Sequence, residues 1–142
     1  MKRINRITTF YLILVIYLLQ CRISYSQDLS KYLYYNSLHT YAPATKYSKS
    51  INETTFEDSR ILFDLNKKKI YIKTNFYDET VESVYKINEI SDIKSDNENG
   101  KYYLFTCLAD NYAEVLIYLY VDTEIVRRVV THNNITSKYF NR

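Results

Sequence analysis

From residue 60 onward, apolar and polar residues come in short runs separated by turn residues. The longest run is Lys101–Val121, KYYLFTCLADNYAEVLIYLYV, which reads as two strands that meet at Asp110-Asn111. Its aromatic and β-branched side chains suit a pleated, half-buried surface, and they disfavour the alternative of a helix from Tyr112 to Val121. The pattern therefore predicts a hairpin at the centre of the fold.

A two-residue turn at Asp110-Asn111 determines which side chains of this hairpin share a face. Thr106 then pairs with Val115, and residues two apart along each strand point the same way. The predicted core face consists of Tyr102, Leu104, Leu108, Val115, Ile117 and Leu119. The opposite face carries Tyr103, Phe105, Cys107, Glu114, Leu116, Tyr118 and Tyr120. Both faces are largely apolar, which indicates that both are covered or that one binds a partner.

A second hairpin is predicted from two strands, over residues 60–65 and 69–74, that flank a turn at Asn66-Lys67. This turn gives three cross-strand pairs: Ile61 with Ile72, Phe63 with Ile70, and Asp64 with Lys69. The first two pairs share an apolar face, and the third places opposite charges on the other face. The agreement of both faces supports this register.

Further strands are predicted at Val81–Ile90, Glu124–Thr131 and Tyr139-Phe140. The first of them also has an apolar residue at every third position, as a helix would, but its β-branched content favours a strand. Asn99-Gly100 is a strong hairpin signal, because both residues tolerate positive φ.

These elements predict a mainly β domain over residues 60–142, an antiparallel meander of about six strands. A curled sheet, a sandwich and a small barrel all fit this pattern. Residues 27–59 are expected to form a lead-in, either irregular or a short helix that begins at Asp28 and includes Tyr32 and Leu33.

Residues 1–26 have the layout of a secretory signal peptide. Basic residues come first, an apolar run from Phe10 to Leu19 follows, and small residues precede a predicted cleavage between Ser26 and Gln27. The run is short for a membrane span, which needs about 20 residues. We expect an exported protein, periplasmic or extracellular, with no membrane span after cleavage. Two alternatives stay open: an uncleaved anchor, and lipid attachment at Cys21, which Gln20 and Arg22 disfavour.

Cleavage would change the charge of the protein. The whole chain has 19 basic and 16 acidic residues, and residues 1–26 contain four of the basic ones and none of the acidic ones. The remainder has 15 basic and 16 acidic residues, a net charge of −1. Such a domain lacks the basic footprint of nucleic-acid binding.

The residues of catalytic chemistry are sparse. After cleavage Cys107 is the one remaining cysteine, and its apolar surroundings predict a small buried side chain. His39 and His132 each stand alone in polar sequence, without metal-ligand spacing. A single glycine argues against a phosphate-binding loop. We therefore expect no cofactor, no metal and no enzymatic activity.

The 17 tyrosines are the feature from which a function can be predicted. Tyr71, Tyr103, Tyr118 and Tyr120 are expected on one side of their strands, away from the core face. Tyrosine surfaces bind proteins and sugars, because each ring offers a large rigid area with a polar tip. We expect a binding face for a protein or a glycan. The alternatives are a structural envelope protein whose tyrosines are core residues, and a small hydrolase inhibitor.

The chain resembles small uncharacterised secreted proteins of Bacteroidetes-type bacteria. The residues that carry this resemblance are the signal ending Ser24-Tyr25-Ser26-Gln27, the segment Lys69-Ile70-Tyr71-Ile72, and the segment from Phe105 to Asp110. Such proteins often have a glycine where this chain has Asn111. The resemblance implies export to the periplasm or beyond, and it assigns no functional residue.

Overall fold

The computed structural model describes residues 32–142. The predicted signal peptide, its cleavage site at Ser26 and Gln27, the lipid-attachment candidate Cys21 and the predicted helix start at Asp28 lie outside these residues. Within them the chain forms one antiparallel sheet and no helix, so the mainly β prediction is confirmed. It follows that residues 32–142 contain no helix long and apolar enough to cross a membrane.

The sheet has eleven strands, more than the six or so that were predicted. The strands that were not recognised are short and lie within residues 32–55 and 94–96. The eleven strands are β1 (Tyr32–Tyr35), β2 (Ser37–Ala42), β3 (Ile51–Thr55), β4 (Asp58–Asp64), β5 (Lys69–Asn75), β6 (Thr80–Ile90), β7 (Lys94–Asp96), β8 (Gly100–Ala109), β9 (Glu114–Tyr120), β10 (Val126–Val130) and β11 (Ile135–Phe140).

The strand order makes the sheet curl. It runs β1-β4-β5-β6-β8-β9-β10-β11-β2-β3, and β7 pairs with β8 at the side. Only Asn36 separates β1, at one end of this order, from β2, which is next to the strand at the other end, so the two sides of the sheet are neighbours in the chain. The ladders do not close the sheet into a barrel, because β1 and β3 each pair on one side only. The structure is thus the curled sheet among the predicted forms.

Residues 32–55 form three strands, where an irregular lead-in or a short helix was expected. In β1 the exposed Tyr32 and Tyr34 alternate with the buried Leu33 and Tyr35. All four side chains are apolar or aromatic, so their sequence shows neither a period of two nor one of 3.6. The pairing of β1 with β4 decides the structure instead.

The core lies inside the curled sheet. Its largest fully buried side chains include Phe63 and Phe105, whose ring centres are 5.1 Å apart. Ile61 and Phe63 of β4 face Ile72 and Ile70 of β5, and Asp64 faces Lys69, so the predicted register of this hairpin is confirmed.

The register of the β8–β9 hairpin was predicted wrongly, by one residue. Thr106 pairs with Leu116, and Cys107 pairs with Val115. The loop contains three residues, since the amide of Tyr112 donates to the carbonyl of Ala109 and Tyr112 adopts a φ of 61°. A type I turn followed by a left-handed residue is the common three-residue hairpin loop, and a glycine usually marks it.

Because of this shift, the inner and outer faces of β8 are the opposite of those predicted. Phe105 and Cys107 are completely buried, together with Val115 and Ile117 of β9. The prediction for β9 was right, whereas three residues of β8 lie on the outer face instead: Tyr102, Leu104 and Leu108.

The remaining strand predictions are confirmed with changed boundaries. The strand predicted over Val81–Ile90 is β6, with a bulge between Ile87 and Glu89. The strand predicted at Tyr139-Phe140 is the end of the longer β11. The turn predicted at Asn99-Gly100 joins β7 to β8, and Gly100 has a φ of 87°.

Candidate binding surface

The four tyrosines predicted to form one binding face do not lie together. Tyr103 lies on the inner face and packs against the core. Tyr120 lies on the outer face but is only 1% exposed. Tyr71 and Tyr118 remain partly exposed on the outer face, with β6 and β8 between their strands. The predicted face is therefore corrected: the β8–β9 register turns Tyr103 inward, and neighbouring side chains cover Tyr120.

Tyr118 and Tyr120 belong to a compact aromatic cluster. The ring of Tyr102 lies 5.3 Å from that of Tyr118 and 5.4 Å from that of Tyr120, and Arg127 stacks on Tyr118 at 5.6 Å. The hydroxyl of Tyr120 donates to a carboxylate oxygen of Asp96 at 2.7 Å. This bond, with backbone amides of the β7–β8 turn, lowers the pKa of Asp96. Burial first and the Asp96 bond second raise the pKa of Tyr120 to about 12. The cluster holds the β7–β8 turn in place.

The interior contains a buried basic side chain. Arg128 of β10 donates to the hydroxyl of Tyr85 and to the hydroxyl of Ser137, both at 2.9 Å. Its Nε has no hydrogen-bond partner, and within residues 32–142 no carboxylate pairs with it. Arg127 faces outward and Arg128 inward, because successive side chains of a strand point to opposite faces.

Cys107 and His39 lie on strands that are not neighbours in the sheet, β8 and β2. Cys107 is completely buried on the inner face, and burial raises the pKa of its thiol to about 12. His39 pairs with Lys138 and bonds through Nδ1 to the Thr54 hydroxyl at 2.9 Å. A buried thiol of this kind is not ionised near neutral pH and is a poor nucleophile. In the described part of the chain, no three His, Cys, Asp or Glu side chains gather to hold a metal ion.

The most exposed tyrosines of the sheet lie on the outer face of β1. Tyr32 and Tyr34 are 51% and 60% exposed, and their rings stack with centres 6.5 Å apart. The guanidinium of Arg60, on β4, lies 5.9 Å from the centre of the Tyr32 ring and 5.2 Å from that of Tyr34. Two aromatic rings and one cation thus form a single exposed platform.

Cross-strand register extends this platform over β5 and β6. Tyr32 pairs with Leu62, Leu62 with Tyr71, and Tyr71 with Val84, which makes an apolar row across four strands. The parallel row beside it runs through Tyr34, Arg60, Lys73 and Glu82. A charged row therefore borders an apolar one.

Three hollows adjoin each other along β1, β4 and β5, and we call them together the groove. The tyrosine hollow, about 350 Å³, includes Tyr32, Leu62 and Tyr71. The central hollow, about 370 Å³, shares Arg60 and Lys73 with it. The phenylalanine hollow, about 410 Å³, includes Phe56, Glu57, Phe76, Tyr77 and Arg142, and it shares Asp58 and Asn75 with the central hollow.

The groove is elongated along β4. From Leu62 to Phe56 it follows β4 and the residues just before it for six residues, which is about 20 Å at 3.3 Å per residue. Aromatic side chains lie near both of its ends, and two cations, Arg60 and Lys73, lie between them. The carboxylates that line the two hollows of these cations are Asp58, Asp64 and Glu82. An extended polypeptide of six or so residues has the same length.

The sequence did not reveal the groove. Arg60 and Lys73 belong to the correctly predicted second hairpin, so their position on its outer face followed from the sequence. Tyr32 and Tyr34 were missed, because β1 was not recognised as a strand.

No protein family matches this chain, and neither characterised proteins nor solved structures give a match to it. The groove is therefore interpreted from its own chemistry.

Proposed function

We propose that this protein is an exported, non-enzymatic binding protein, and that the groove captures an extended, acidic segment of a partner protein. The observation that carries this proposal is the pairing of Arg60 with Lys73 at the centre of the groove. Like charges directly opposite each other destabilise a sheet. A carboxylate of a bound segment would relieve this repulsion.

The two cations at the centre of the groove favour an acidic group on the partner, although Asp58, Asp64 and Glu82 line the same hollows. Within residues 32–142, no carboxylate lies within ion-pair distance of Arg60 or Lys73; the ion pair at this end of the sheet joins Lys67 to Asp64, at 3.4 Å. Glu82 is the cross-strand neighbour of Lys73 on the other side without forming such a pair. Neither central cation is thus neutralised by a carboxylate of residues 32–142, although Arg60 also contacts the Tyr32 and Tyr34 rings.

The composition of the groove supports a protein partner over a glycan. Tyrosine and arginine are enriched among the residues that dominate protein–protein binding. Arg60 already lies against both tyrosine rings, so it occupies ring surface on which a sugar would stack. Burying rings that are 51% and 60% exposed would supply apolar contact area to a peptide.

Selection from a library of displayed random heptapeptides tests this proposal. We expect the selected peptides to share an Asp or Glu, and we expect Tyr32→Ala with Tyr34→Ala to weaken their binding at least about tenfold. Tyr47→Ala is the matched control, since Tyr47 is 90% exposed and also carries a cation, Lys46, over its ring at 5.6 Å.

Two results of this selection would contradict the proposal. Enrichment of peptides without acidic residues would do so, and so would equal binding by the double variant. If no peptide is enriched while a glycan array gives specific binding, the partner is a glycan. If neither binds, the alternative of a structural envelope protein gains support.

Export is tested separately. The intact mass and the first residue of the protein recovered from outside the cytoplasm distinguish cleavage after Ser26 from lipid attachment at Cys21 and from a retained leader. Our proposal expects a soluble protein that begins at Gln27.

A further inference from the structure

The phenylalanine hollow differs from the rest of the groove in its basic residue, which is Arg142, whereas Arg60 and Lys73 line the other two hollows. Phe56, Phe76 and Tyr77 are 70%, 38% and 98% exposed. Glu57 and Asp58 also line the hollow. Aromatic faces and carboxylates both attract cations, so this combination favours a positively charged ligand.

Glu57 is the unusual residue of the hollow. Its side chain is only 7% exposed, although it lines the hollow. None of the hydrogen bonds or ion pairs among residues 32–142 uses its carboxylate. Its carboxylate oxygens keep contact with solvent in the hollow, so a cation placed there can pair with them directly.

The protein already places a guanidinium in this hollow. The Arg142 side chain lies over the Phe56 ring, 4.9 Å from its centre. The backbone amide of Arg142 donates to Oδ1 of Asn36 at 3.2 Å. Asn141, beside it, accepts from the amide of Asn36 and donates to the carbonyl of Tyr34, both at 3.0 Å. These bonds hold Arg142 at the rim.

We propose that the phenylalanine hollow binds an arginine side chain of the partner in exchange for Arg142. A guanidinium is favoured over an ammonium, because its plane stacks on an aromatic ring while its fork of donors meets a carboxylate. This inference extends the proposed function by naming a second group of the partner, but the hollow itself is argued from Glu57, Phe56 and Arg142.

The distance between the two sites gives a motif. Glu57 precedes Arg60 by three residues along the chain, which corresponds to about 10 Å of extended strand. Side chains that point the same way along an extended segment are two or four residues apart, so the partner would carry its arginine two or four residues from the acidic residue that meets Arg60 and Lys73. This spacing rests on the proposed function.

A small probe tests the hollow independently of any partner segment. N-acetyl-arginine methylamide is titrated into the protein and followed by amide chemical shifts, and the citrulline analogue, which is neutral and of the same shape, serves as the ligand control. We expect saturable shifts at Phe56, Glu57 and Phe76 with the arginine compound only. Equal binding of the citrulline compound would overturn the proposal.

Three variants sharpen this test. Arg142→Ala removes the internal competitor and is expected to tighten binding of the probe by about threefold or more, whereas Glu57→Gln is expected to weaken it about tenfold. Glu53→Gln, an exposed acid on β3, is the matched control. Should Glu57→Gln fail to fold, Phe56→Ala replaces it, since that ring is 70% exposed.

The proposal fails if Arg142→Ala binds the probe no better than the natural sequence, or if Glu57→Gln or its replacement binds it equally well. Either result would leave the acidic-segment selection unaffected, so the two proposals can fail separately.

Discussion

Arg60 and Lys73 are direct cross-strand neighbours on the outer face of β4 and β5. The repulsion between the two cations lowers the stability of the free protein, and a carboxylate of the proposed ligand would bind between them. Arg60→Glu replaces the repulsion with an attraction across the ladder. The substitution also removes the contacts of Arg60 with the Tyr32 and Tyr34 rings, which offset this gain, so we expect the free energy of unfolding to change by no more than about 1 kcal/mol.

The same variant is expected to lose binding of the selected acidic peptides by more than about tenfold, because it places a carboxylate where the ligand's carboxylate would lie. Chemical denaturation and fluorescence polarisation measure the two effects. Lys46→Glu makes the same type of charge change on the exposed β2–β3 loop and serves as control. Parallel losses of stability and binding would show that Arg60 acts structurally.

The β8–β9 register is tested by truncation of neighbouring side chains. Phe105 is completely buried and Leu104 lies on the outer face. Phe105→Ala is expected to lower the free energy of unfolding by about 3–5 kcal/mol, and Leu104→Ala by well under half of that. Denaturation midpoints in urea give the comparison. A larger loss for Leu104→Ala would favour the register of a two-residue loop.

The loop itself offers a stabilising substitution. Tyr112 is 86% exposed and has a φ of 61°, a conformation that costs most residues free energy. Tyr112→Gly is expected to raise the free energy of unfolding by about 0.5–1 kcal/mol, because glycine adopts this conformation without a steric penalty. Tyr47→Gly, at an exposed position without positive φ, should give no gain. A loss of stability in Tyr112→Gly would argue against a three-residue loop.

These two hairpins show what the sequence could and could not predict. In the β4–β5 hairpin one face is apolar and the other is charged at Asp64 and Lys69, so only one register satisfies both. In the β8–β9 hairpin both faces are apolar, and a shift by one residue keeps every contact hydrophobic. The left-handed position is held by Tyr112, so no glycine indicated the longer loop.

The candidate site was less predictable than the sheet. The predicted β4–β5 register implies the position of its cations, but the exposed tyrosines are on a strand whose side chains show no polar alternation. Which tyrosines are covered depends on contacts between distant segments, such as the bond from Tyr120 to Asp96. Periodicity within one strand does not contain that information.

Alkaline pH is expected to destabilise the fold. The Cys107 thiol has a pKa raised by burial from 9.0 to about 12, and burial and the Asp96 bond raise that of Tyr120 from 10.0 to about 12. The unfolded chain therefore loses these protons at a lower pH than the folded chain does. Stability should be constant below pH 9, so far as these groups contribute, and should fall as the pH rises from 9 towards 12.

Urea denaturation at half-unit steps from pH 8 to 11 measures this decline. Cys107→Ala, less stable at neutral pH because of the space it leaves, should show a shallower decline between pH 9 and 10 than the natural sequence. Identical slopes for the two proteins would mean that the thiol is not protected by the fold.

The central claim is that an acidic segment binds in the groove along β1, β4 and β5. Titration of a selected peptide into isotope-labelled protein, followed by amide chemical shifts, tests it most directly. We expect the largest shifts in Tyr32–Tyr35 and Asp58–Asp64. Shifts confined to the outer face around Leu104 and Tyr118 would contradict the claim.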